Sequence, residues 1–294
     1  MTSSNMTTTA TRRAFLGLTF AAAVGMQCTS AVSTPATRGA HAELIVQPVS
    51  TVVATELTPS STDGLARTRP LDFVRFCLEN YRRKVRDYSC TFIKQERLGS
   101  KITPEQVTEV LFREQPVFSV NMKWTQNADA AQHVLYIKNR WEDDKGNDEA
   151  YVVAAGLAKL IGKIRQPIDG PLARKASRRS IADFGFGNTL DMILSYSERA
   201  AKTDELDLRF IGETTVDGRP AYAFERRLPY TGENCSYPDR LLKFSIDKEW
   251  LVPTAVFSYC DDAGQILLGK YIHENLAMNP GLPDSDFELS ALDR

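Results

Sequence analysis

Cysteine is the residue type whose number and placement most constrain the chemistry of this chain. Five are present, Cys28, Cys77, Cys90, Cys235 and Cys260, and Cys28 lies inside an N-terminal segment built like an export leader. The other four form an even set, which in an oxidising compartment reads as two disulfides. Sequence-local pairing joins Cys77 with Cys90 and Cys235 with Cys260. Cys77 sits beside the apolar face of a helix that leads into the strand bearing Cys90, and Cys260 closes a hairpin that Cys235 precedes. Each bridge would contribute about 3 kcal/mol through loop closure. Four buried free thiols are the competing reading. A metal centre is disfavoured, because there is no C-x-x-C and histidine is scarce.

The remaining chemistry-bearing residues offer less. Beyond the leader only His133 and His273 remain, each on a predicted strand, and the chain has no H-E-x-x-H, G-x-S-x-G or Walker-type G-x-x-x-x-G-K. The run Asp143 to Glu149 lacks the oxygen spacing of a calcium loop and reads as a solvated hairpin turn. A pair of strand carboxylates acting as glycosidase acid and base stays open as an envelope-hydrolase reading. No catalytic residue, cofactor or metal is expected.

The leader itself has three parts. Arg12 and Arg13 precede an apolar run from Ala14 to Met26, and Ala40-His41-Ala42 supplies an A-x-A cleavage signature. Paired arginines before the core point to the twin-arginine translocase as the export partner. The run is too short to span ~30 Å of hydrocarbon. Lipid anchoring at Cys28 is the minority reading, since Gln27 stands where a small residue is wanted. The organisation is therefore a signal peptide over 1–42, a flexible linker over 43–69, a folded domain over 70–289 and a tail over 290–294. The location is periplasm or cell envelope.

Composition sets outer limits. With 36 basic against 37 acidic residues the chain lacks the cationic excess of a nucleic-acid binder, and 43% hydrophobic residues suffice for a core but not for many membrane spans.

The elements that must position these residues are legible from periodicity. Pro70 opens a helix whose Leu71, Val74, Leu78, Tyr81 and Val85 share one face. After Asp87 the period becomes two: Tyr88-Cys90-Phe92, then 106–113, Phe118 to Trp124, 132–139 and 149–155, and later Leu206 to Phe210, Tyr222-Phe224, Leu242 to Ile246, Ala255 to Tyr259 and Ile266-Leu268. Asp217-Gly218 and Asp261 to Gly264 are hairpin turns. Roughly ten antiparallel strands imply a curved all-β sheet, barrel or sandwich. Between the two strand sets lie a stretch carrying Lys159, Lys163, Arg165, Arg174, Lys175, Arg178 and Arg179, read as a mobile solvated loop, and a helix following Phe184-Gly185-Phe186-Gly187. An aromatic stripe of Phe92, Phe118, Trp124, Tyr222, Phe224, Phe244 and Phe257 is core if it meets a helix, and a pocket lining if it faces an open concavity.

Four blocks in order, Tyr88 to Arg97, Pro116 to Trp124, Arg178 to Asn188 and Asn279 to Phe287, resemble an exported bacterial family of unknown function grouped with the LolA/LolB lipoprotein-carrier superfamily. Ser180 and Asn121 depart from that pattern, where proline and an aromatic are usual. The resemblance implies a mainly β (α+β) fold, an incomplete half β-barrel closed by helices. It also implies an apolar cavity that takes up a lipid or lipoprotein acyl chain, with Phe92, Phe118, Met122, Trp124, Tyr222, Phe224, Phe244 and Phe257 as its lining. A non-enzymatic carrier is thus the leading expectation. A structural or protein-interaction module of the cell envelope, using strand edges and the basic loop, is the alternative.

Overall fold

The computed structural model describes residues 61–232 and 235–294. Arg12, Arg13, Cys28 and the leader lie outside the described residues, as does the proposed linker up to residue 60.

Two helices lead into the sheet. Helix α1 (Thr62–Thr68) begins at Ser61, whose hydroxyl accepts the Gly64 N–H at 2.9 Å and caps an otherwise orphaned donor. Helix α2 (Pro70–Lys84) starts on its proline, as the sequence predicts, and ends in Arg82, Arg83 and Lys84 beside the negative helix terminus. The part of the proposed linker from Thr62 to Thr68 is therefore packed helix. Ala66 is fully buried, and Arg67 reaches Glu213 at 2.6 Å, a tertiary anchor that no periodicity announces in so short a helix.

Strands β1 (Asp87–Leu98), β2 (Lys101–Ile102), β3 (Gln106–Arg113), β4 (Ser119–Gln126), β5 (Ala131–Ile137), β6 (Glu149–Ala154) and β7 (Lys163–Pro167) form a first meander. Strands β8 (Asp207–Val216), β9 (Arg219–Arg227), β10 (Leu241–Asp247), β11 (Pro253–Tyr259) and β12 (Leu267–Met278) form a second. The two join because β12 pairs antiparallel with β1, giving one sheet in the order 7-6-5-4-3-1-12-11-10-9-8, with β2 attached to β1. The end strands β7 and β8 do not pair, so the barrel stays open. Between the meanders run α3 (Pro171–Ala176) and α4 (Phe186–Ala201). The β8–β9 turn is the two-residue Asp217-Gly218, with φ of 49° and 73°, the positive angles that match strand twist.

The helices fill only one half of the concave face. Phe73 of α2 stacks on Phe224 at 5.4 Å and meets Tyr222 edge-on at 5.2 Å, while Phe224 stacks on Phe244 at 5.2 Å. The Asn80 side chain donates to the Trp250 carbonyl at 3.2 Å, fixing α2 over the β8–β11 side. Each such aromatic contributes about 1.5–3 kcal/mol by leaving water. At the other end of the chain the proposed tail is packed too. Within residues 290–294 Ala291 and Leu292 are buried, and Leu292 rests with Phe287, from the end of the predicted domain, on the convex face against Leu135, Ile137 and Val153.

The cysteines correct the disulfide expectation: Cys77, Cys90, Cys235 and Cys260 are free thiols. Cys77 sits on α2, which packs over the second meander, whereas Cys90 lies in β1 beside β3. Burial pushes both thiols up from their ordinary pKa. The hairpin argument fails for a different reason. Arg240 N–H does pair with the Tyr259 carbonyl, but the ladder starts only at Leu241, and Cys235 turns away to pack with Ala200, Leu228 and Tyr237 at the end of α4.

Candidate functional site

The unfilled half of the concave face holds a cavity of about 480 Å³. Its wall draws Phe92 from β1, Thr108 from β3, Met122 and Trp124 from β4, Val134 from β5, Val152 from β6 and Ile164 from β7. On the other side it draws Arg226, Leu242, Val256 and Tyr271 from β9 to β12. These ten adjacent strands would spread over about 43 Å if flat. One cavity touching both β7 and β9 therefore requires a strongly curved sheet. The roof comes from Leu172 and Ala173 of α3, Ile181 and Phe184 of the following turn, and Met192 and Ile193 of α4.

The volume exists because side chains facing inward there are small. Ala131, Ala150, Ala154, Ala173 and Ala176 all line it, where a filled core would carry Leu or Phe. That run of small inward positions was readable in the sequence and is the signal the aromatic stripe obscured.

Of the eight residues expected to line a cavity, Phe92, Met122 and Trp124 do so. Tyr222, Phe224 and Phe244 are instead core beneath α2, and Phe118 packs edge-on against Phe112 at 5.1 Å, outside the cavity. Phe257 is on the opposite face, packed with Ile93, Ala255 and Ile272. Strand β11 is buried on both faces, so a period of two cannot tell its inside from its outside.

Two polar clusters interrupt the apolar wall, and neither was foreseen. At the rim, the buried Glu96 carboxylate accepts from Tyr271 Oη at 2.7 Å, Ser177 Oγ at 3.1 Å and the Arg178 backbone N–H at 3.2 Å, with Lys94 Nζ at 3.2 Å. Burial, then the adjacent carboxylate, raises the Tyr271 hydroxyl pKa. This cluster straps the basic segment over the cavity, so the stretch read as a solvated loop is anchored. Deeper, Arg226 and Asp239 form an ion pair whose side chains are almost wholly out of water. Both carboxylates line the cavity, and each is held by hydrogen bonds, Glu96 from Tyr271, Ser177 and the Arg178 N–H and Asp239 from Arg226.

The histidines are both on strands, as expected. His273 packs on Phe92 at 4.9 Å and Phe186 at 4.6 Å, and burial lowers its pKa to about 3. His133 lies on the convex face against Asn121, 2.6 Å away, lowered to about 4 by burial and by Lys123 and Lys163. Among the described residues no group of three or more His, Cys, Asp or Glu could hold a metal ion. In the 143–149 turn, Asp143 accepts the Lys145 and Asn147 N–H groups, which stabilises a hairpin connection.

An open antiparallel half-barrel, partly plugged by helices and hollow in its remaining half, is the class of protein that fold and site define. The chain belongs to the DUF1571 family of proteins of unknown function, whose family model matches residues 85–292. This agrees with the family expected from the sequence blocks. No curated protein matches the chain. Several solved structures show partial similarity, three of them as follows. MucB has a TM-score of 0.45 at 15% identity over 75% of this chain and 63% of its own. The Mycobacterium tuberculosis lipoprotein LppX has 0.40 at 10% over 74% and 98%. A LolA superfamily protein from Nitrosomonas europaea has 0.28 at 9% over 74% and 98%. The chain thus spans less than two thirds of the length of MucB.

Proposed function

We propose that this protein is an exported, non-enzymatic binder of an elongated apolar ligand, a lipid or lipoprotein acyl chain, held in the half-barrel cavity. The observation that carries the reading is the cavity of about 480 Å³ under α3 and α4, walled mainly by aliphatic and aromatic side chains and left unfilled by the helices. Its size falls within the range of small-molecule sites, roughly 300–1,000 Å³. An acyl chain suits it because each buried methylene contributes about 0.8 kcal/mol. About ten would contribute ~8 kcal/mol, which sets micromolar affinity as the ceiling for that length before immobilisation costs.

The test has two arms. Solvent extraction and mass spectrometry of protein recovered from the cell envelope should release a lipid. A fluorescent fatty acid should bind the emptied protein and be displaced by unlabelled acyl chains. Val152→Trp, which projects bulk into the cavity, should weaken that binding by about tenfold or more, the equivalent of roughly two lost methylenes. Protein that carries no extractable lipid and takes up no probe would overturn the reading.

A further inference from the structure

The most exposed large apolar side chains among the described residues are gathered in one segment. Leu157 and Leu160 are each 91% exposed, Ile161 is 70% and Leu172 is 61% exposed. Leu157, Leu160 and Ile161 occupy the 3-10 turn Gly156–Ile161 that joins β6 to β7, and Leu172 is on α3. Isolated exposed leucines are ordinary on protein surfaces, but several clustered on one projecting turn mark an interaction site.

The position of this turn relates it to the cavity. Ala154, just before it, and Ile164, just after it, line the cavity wall, and Leu172 lines the roof. The turn hangs from the same rim as Ala131, the register partner of Ala154. Its charge environment is one-sided: from Gly156 to Ala182 the sequence carries seven basic residues and a single acid, Asp169. Lys163 and Arg165 are paired with Asp293 and Glu149. Arg174 and Lys175 are exposed on α3 and make no ion pair among the described residues.

We propose that the Gly156–Ile161 turn is a membrane-docking knob. Leu157, Leu160 and Ile161 enter the outer acyl region of a bilayer, and Arg174 and Lys175 meet anionic headgroups, which brings the cavity rim against the lipid. A bilayer fits better than a protein partner. Protein interfaces are anchored by Tyr, Trp and Arg seated in matching pockets, whereas residues 156–182 contain no aromatic and present bare aliphatic tips. Apolar tips combined with nearby cations are the pairing that binds interfaces containing anionic lipid. Uptake of lipid at this rim rests on the cavity reading; docking itself does not.

The test is co-sedimentation of the full chain with vesicles of phosphatidylcholine alone and of phosphatidylcholine mixed with phosphatidylglycerol. Three proteins are compared: wild type, the triple variant Leu157→Ser, Leu160→Ser, Ile161→Ser, and the pair Arg174→Glu, Lys175→Glu. All five positions are exposed, so folding is preserved. The wild type should sediment better with the mixed vesicles, the triple variant should partition roughly tenfold less, and the charge variant should lose its preference for phosphatidylglycerol. Tryptophan emission of Leu160→Trp, taken as a difference from wild type, should shift to the blue on adding vesicles. A triple variant that sediments like wild type, or a Leu160→Trp emission that does not move, overturns docking. Fatty-acid binding without vesicles separates the two readings: a triple variant that binds the probe normally but has lost the vesicles supports docking on an intact cavity. A wild type that sediments through the knob without binding probe supports docking and defeats the cavity reading alone.

Discussion

Arg226 donates through Nη2 to both carboxylate oxygens of Asp239, at 3.1 and 3.3 Å, where β9 and the β9–β10 connection meet in the cavity wall. Its Nη1 donates to the Ile193 carbonyl of α4 at 3.2 Å, and Nε has no partner among the described residues. The pair therefore ties helix, strand and loop together at a dry site.

Breaking this pair from one side should be costly, because the partner left behind is a buried unpaired charge. Asp239→Asn is expected to destabilise the fold by about 3–5 kcal/mol. The double replacement Arg226→Met, Asp239→Leu should recover much of that loss. Urea unfolding midpoints of the three proteins check the prediction, and a double variant no better than the single one would contradict it.

Glu96 is predicted to hold the strap. Glu96→Ala removes the acceptor of Tyr271, Ser177 and the Arg178 N–H together, a loss of about 2–4 kcal/mol if hydrogen bonds to a charged group count 1.5–3 each and water partly compensates. The segment should then open locally before the sheet does. Limited trypsin digestion should cut faster at Arg174, Lys175, Arg178 and Arg179, with the far-UV spectrum unchanged.

Gly187 allows α4 to lie against α2. A Cβ built there overlaps the ring of Tyr81, whose hydroxyl donates to Glu114 at 2.6 Å. Gly187→Ala should cost about 1–3 kcal/mol through overpacking. Adding Tyr81→Leu should relieve part of this clash. Thermal unfolding of the single and double variants would show whether the two residues are coupled.

Acid should weaken the fold through its histidines. Burial holds His273 at about 3, and burial together with Lys123 and Lys163 holds His133 at about 4, against 6.5 for an unperturbed imidazole. Above pH 6.5 both states are neutral and these groups add no pH dependence. Below it the unfolded chain binds protons that the folded chain refuses, so stability falls with pH until the folded groups titrate near 4 and 3. Each histidine contributes a slope of up to about 1.4 kcal/mol per pH unit. Urea midpoints measured from about pH 7 to about pH 5 should fall, and His273→Phe should make the decline shallower by nearly one proton. An identical slope in that variant would show that His273 is not protected from protonation.

The amino-acid sequence by itself determined the local architecture. Pro70 started α2, the strands at 106–113 and 149–155 were placed within a residue or two, and Asp217-Gly218 formed its turn. These features depend on backbone preference and on a period of two or 3.6 residues, which neighbours along the chain suffice to set. Family membership was legible from block order for the same reason. Only the tertiary structure decided which half of the sheet the helices fill. Phe92 and Phe224 read alike along their strands, yet Phe92 lines the cavity and Phe224 is covered by Phe73 of α2. The thiols and the two buried carboxylates were likewise decided late. Whether Cys77 meets Cys90, or Glu96 meets Ser177, depends on how elements far apart in sequence cross, and one-dimensional patterning carries no term for that. The cavity follows from the same physics: small side chains on β5, β6 and α3 leave space only because sheet curvature brings them to face one another.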